Sequence, residues 1–140
     1  MRQSLISLFA LMVFGVSQAS AGPVRLIDAT EMNWETTPEG VAFAALQGDG
    51  FHESYQALVK LPSGTISPAH VKSANMYGIV RQGQTAHYAR GAAPDAPATI
   101  GPGSFYHIPA GLADVSACVS QDPCMKYLYQ DGAFDFLVTE

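Results

Sequence analysis

Past its first 21 residues, glycine and proline break this chain into short segments rich in Val, Ile, Phe, Tyr and Thr. Such punctuation selects strands joined by tight turns, and no segment shows the 3.6-residue period of an amphipathic helix. The pattern predicts an all-β domain with strands over 41–47, 54–61, 76–81, 84–89, 104–108, 115–119, 125–130 and 133–139. An edge strand is expected within 24–34, and 126–130 with 134–139 are expected to form a hairpin around Asp131-Gly132. The Ala/Pro/Gly-rich stretch 90–102 reads as a loop over one rim. Trp34, Phe43, Phe51, Phe105, Phe134 and Phe136 are assigned to the core or the barrel lining, and Asp131 and Asp135 to turn and rim.

Residues 1–21 read as an export signal. Arg2 supplies the positive start, 5–16 the apolar run, and Ala19-Ser20-Ala21 a small-residue cleavage site before Gly22. The apolar run is shorter than the roughly 20 residues a spanning helix requires, and no later stretch is long enough. Residues 22–140 are therefore expected as one domain, periplasmic or secreted, without a membrane anchor. Loss of Arg2 takes the formal charge from -5 to -6, and Arg25, Lys60, Lys72, Arg81, Arg90 and Lys126 are scattered. That balance argues against nucleic acid and anionic membrane as partners. In an oxidising compartment Cys118 and Cys124 are expected to close a disulfide across Pro123, in preference to forming a redox or metal-binding pair.

The residues that carry chemistry fall in two groups. His70 and Lys72 are two apart and share one face of a strand, after a lead-in from Gly64. Residues 101–111 then supply a Pro-Gly turn, a strand and a second turn that brings Asp114 into play. In spacing, Gly64, His70, Lys72, Met76 and Gly83 resemble the first motif of the cupin superfamily, and Gly103, Pro109, Gly111, Asp114 and Cys118 resemble the second. The resemblance implies a cupin-type jelly-roll β-barrel, a double-stranded β-helix, commonly homodimeric. The Gly48-Asp49 segment and the lead-in from Phe51 to Gly64 are similar to cupins near the anti-sigma-factor domains and small dioxygenase-like members.

The same comparison implies where a metal would be held, and there the chain departs from the family. His70 is retained, whereas Lys72 and Asp114 replace histidines and Met76 replaces a glutamate. A protonated lysine cannot ligate a metal. One reading is therefore a binding module, in which a pocket of His70, Lys72, Met76 and Asp114 holds a small anionic or carbonyl-bearing molecule beside a Lys72–Asp114 pair. The alternative is a metal-dependent enzyme of dioxygenase or isomerase type. There His107, or His87, completes a site with His70 and Asp114 for iron, copper, manganese or zinc. A metal-free acid–base pair of His70 and Lys72, a remnant of a lost metal site and a dimerising scaffold are further readings. No nucleophile elbow, phosphate-binding glycine loop or His-Glu-x-x-His pair occurs.

Overall fold

The computed structural model describes residues 21–48, 52–92 and 97–139. The expected export signal, up to residue 20, lies outside the described residues, as do Asp49, Phe51 and part of the 90–102 loop. No described helix is long and apolar enough to cross a membrane.

The strands are β1 (Glu35–Thr36), β2 (Ala42–Gln47), β3 (Tyr55–Leu61), β4 (His70–Val71), β5 (Met76–Gln82), β6 (Thr85–Ala89), β7 (Thr99–Ile100), β8 (Phe105–Ile108), β9 (Asp114–Cys118), β10 (Cys124–Gln130) and β11 (Leu137–Val138). They build a six-stranded sheet in the order β1-β2-β3-β10-β5-β8 and a five-stranded sheet in the order β11-β4-β9-β6-β7. Every pairing is antiparallel. The two sheets face each other as a jelly-roll barrel.

Side-chain alternation decides which face of each strand turns inward. Tyr55, Ala57, Val59 and Leu61 of β3 are buried while Lys60 is exposed, and Cys124, Lys126, Leu128 and Gln130 of β10 follow the same rule. Val59, Leu61, Val80, Ile108 and Leu128 form the apolar core beside the cavity. Two glycines are fixed by close approach. A Cβ on Gly78 would collide with the Tyr106 ring, and one on Gly83, which turns with φ +75°, would sit 2.9 Å from the Cys124 sulfur. The Cys118–Cys124 disulfide joins the end of β9 to the start of β10 and so staples the two sheets together.

Most strands lie within a residue or two of their predicted limits. Three expectations are corrected. Residues 24–34 hold a 3-10 turn, Ala29–Glu31, capped by Asp28, and the edge strand begins after it at Glu35. The hairpin after β10 does not form, because β11 pairs with β4 in the opposite sheet. Two carboxylates steer that crossing: Asp131 accepts from the Asn75 backbone and side-chain amides, both at 2.8 Å, and Asp135 accepts from Ser73 N at 2.9 Å. Finally, Phe105 is 62% exposed on the outward face of β8, and Trp34 lies outside the barrel with the Lys60 ammonium 3.7 Å from its ring centre.

Candidate functional site

A cavity of about 550 Å³ opens between the sheets, and His70, Lys72, Met76, His87, Asp114 and Lys126 are among the residues that line it. The four pocket residues read from the motifs thus border one space. Strand pairing explains the convergence. His70 lies opposite Asp114 in the β4–β9 ladder, and His87 lies opposite Ser116 in the β6–β9 ladder, one diagonal step from Asp114.

Lys126 reaches this group from the other sheet. On β10 it sits between Val59 and Val80, and it is 3% exposed. Its Nζ donates to Ser116 Oγ at 2.9 Å and lies 3.1 Å from His87 Nε2, while His87 Nδ1 is 3.0 Å from Asp114 Oδ2. An ammonium can only donate, so His87 Nε2 accepts and the ring proton stands on Nδ1, where it donates to Asp114. Lys126, His87 and Asp114 therefore form a directed chain from amine to imidazole to carboxylate. The Tyr106 ring stacks on His87 with centroids 4.4 Å apart, and its buried hydroxyl has no hydrogen-bond partner among the described residues.

Lys72 is held differently. Its Nζ donates to the backbone oxygen of Asp135 at 2.9 Å and stands 4.5 Å from the centre of the Phe134 ring. The expected Lys72–Asp114 pair is thus corrected: both groups border the cavity, but Asp114 pairs with His87. The reason is the β6–β9 ladder, which sets His87 beside the carboxylate, whereas the return of the chain after β10 carries the Asp135 carbonyl to Lys72. His70 Nδ1 donates to Pro68 O at 3.0 Å, and its ring stacks on Phe136 with centroids 3.9 Å apart.

Burial governs the charges. It lowers Lys126 to about 8, with Asp114 opposing, and lowers Lys72 to about 8, with Asp135 and Asp114 opposing. It also lowers His70 and His87 below the usual histidine value, which leaves both rings neutral at pH 7. Tyr106 is pushed well up, first by burial and then by Asp114.

The donor set does not suit the metal site that the family resemblance implies. His107, on the outward face of β8, stacks on Tyr77 with centroids 4.6 Å apart and does not join His70 and Asp114. His87 reaches the cavity, but both ring nitrogens are engaged and its Nε2 lone pair faces an ammonium. Among the described residues no group of three or more His, Cys, Asp or Glu is placed to hold a metal ion. The missed residue is Lys126. The clue was its parity: it lies two residues from Cys124, a buried half-cystine, and so on the same inner face.

No protein-family model matches the chain, and no curated protein matches it in sequence. Solved structures do match. The polyketide cyclase RemF from Streptomyces resistomycificus superposes with a TM-score of 0.67 at 14% identity, over 84% of this chain and 86% of its own. An RmlC-like cupin from Shewanella frigidimarina gives 0.65 at 12% identity, over 81% and 95%. KdgF from a Halomonas species gives 0.62 at 15% identity, over 78% and 94%. The chain has the cupin fold. At such identities the likeness establishes architecture, and the chemistry has to be read from the site itself.

Proposed function

We infer that this chain is an exported binding protein whose cupin barrel takes up a small carboxylate, or a carbonyl-bearing acid, without a metal. The observation that carries the reading is the charge within the cavity. Two buried ammonium groups, Lys72 and Lys126, share its interior with one buried carboxylate, Asp114, and two neutral imidazoles, while the carboxylate of Glu39 lines the cavity from an exposed position and that of Asp135 acts on Lys72. Uncompensated buried charge is costly, and an anionic ligand would supply the missing partner through charge-assisted hydrogen bonds. The volume of about 550 Å³ lies within the range of small-molecule sites. Phe134 and Phe136 provide apolar wall around the polar groups. Export to the periplasm or beyond the cell is part of this reading, supported by the apolar start of the sequence and by a disulfide of the kind that persists in oxidising compartments. Assembly as a homodimer belongs to the same reading and is checked by sedimentation.

Calorimetry with a series of small mono- and dicarboxylates, oxo acids and their neutral amides tests the function. Carboxylates bind and amides do not, and Lys72→Met and Lys126→Met each weaken binding by about tenfold or more, the loss of one charge-assisted hydrogen bond. Equal uptake of the amides, or unchanged affinity in both variants, overturns the reading.

A further inference from the structure

The two buried lysines face different acceptors, and the difference is chemical. Lys72 donates to a backbone carbonyl, which cannot take a proton, so that contact gives its amine no base to activate it. Lys126 faces His87 Nε2 at 3.1 Å, and His87 is oriented by Asp114 at 3.0 Å. A nucleophile within hydrogen-bond reach of a base, with the base held by a third group, is the arrangement that activates serine and cysteine nucleophiles. Here an amine occupies the nucleophile's place. Ser116 Oγ, 2.9 Å from the same nitrogen, fixes its direction.

We propose that Lys126 is a nucleophilic amine that condenses with the carbonyl carbon of a bound oxo acid to form an imine, with His87 as its base and Asp114 as the group that positions His87. The inference rests on the carboxylate-binding reading above and deepens it, because Lys72, which faces a carbonyl and not a base, is the group left to hold the carboxylate. Lys126 first passes a proton to His87 Nε2, and Asp114 balances the imidazolium. The nitrogen lone pair forms the C–N bond, the carbonyl π pair moves to oxygen, and that oxygen takes the proton back from His87. A second N–H proton then travels through His87 to the hydroxyl, which leaves as water while the C=N bond forms. Lysine and carbonyl compound thus give imine and water, with no change of oxidation state.

The test is trapping with sodium cyanoborohydride in the presence of pyruvate or glyoxylate, followed by peptide mapping. Reduction of the imine raises the mass of the modified lysine by that of the oxo acid less one oxygen. The proposal expects this adduct at Lys126 in the folded wild-type protein, ahead of Lys72 and of the exposed Lys60. Lys126→Arg and Lys126→Met abolish it, and His87→Gln slows its formation by tenfold or more at saturating pyruvate, where a change in affinity no longer affects the rate. Labelling spread evenly over the lysines, or no labelling at Lys126, overturns the proposal. Parallel calorimetry separates the two failures: pyruvate and lactate binding alike without an adduct removes the imine and spares the carboxylate site. If neither oxo acid nor any other carboxylate binds, both readings fall.

Discussion

At the scale of single residues, Lys126 is where stability and binding pull in opposite directions. The residue is 3% exposed, paired in the sheet with two valines, so the folded protein carries a desolvation cost that an apolar side chain of similar length would not. Lys126→Met is therefore expected to hold or raise thermal stability, by up to roughly 2 kcal/mol, even as it weakens anion binding. Thermal unfolding of the variant checks the first half and calorimetry the second. The pH dependence follows from the same burial. Lys72 and Lys126 lose their protons near pH 8 in the folded protein, so anion affinity is steady below that value and falls above it. The slope is about tenfold per pH unit for each ammonium the ligand requires, and titrations from pH 6 to about pH 9.5 measure it. On stability the sign reverses. Between about 8 and the ordinary lysine value of 10.5 the unfolded chain binds more protons than the folded one, so these two groups make the fold more stable as pH rises through that window.

At the scale of elements, β9 and β10 bring polar groups of the site together although they belong to opposite sheets. Asp114 and Ser116 come from β9 and Lys126 from β10, and the disulfide at their junction limits how far the sheets can separate. Closing so short a loop contributes about 2–3 kcal/mol in the chain-entropy account. Replacement of Cys118 and Cys124 by serine is expected to lower urea-unfolding stability by about that amount and to remove the reductant dependence expected of the wild type. The segment after β10 illustrates a limit of local pattern. Asp131-Gly132 has the composition of a hairpin turn, yet Phe134 packs against Phe43 with ring centroids 6.0 Å apart, and Asp135 binds the Ser73 amide. These long-range contacts carry the chain across the barrel mouth, where Phe136 stacks on His70 and the Asp135 carbonyl meets Lys72.

At the scale of the molecule, the barrel keeps the cupin architecture while its interior holds ammonium groups beside the histidines. Metal analysis of protein purified without an affinity tag is expected to find no stoichiometric iron, copper, manganese or zinc. A full complement of any of them would require His87 to give up Lys126 and would restore the metal-dependent reading. Strand composition and turn glycines were enough to read an all-β domain from the residues, because they depend on neighbours along the chain, and the barrel followed from the resemblance of the two motifs to those of the cupins. The resemblance of the motif spacing to that of the cupins, and not a local period, marked His70, Lys72, Met76 and Asp114 as pocket residues. Lys126 was not singled out, although alternation along β10 sets it on the same face as Cys124 and Leu128. Alternation carries no information on what that face meets, because His87 is 39 residues away on the other sheet. The Lys126–His87–Asp114 chain, the outward turn of His107 and the exchange of partners between Lys72 and Asp114 all depend on how two sheets stack and register across the barrel. Periodicity selects the side of a strand on which a residue stands, and the tertiary fold selects its partner.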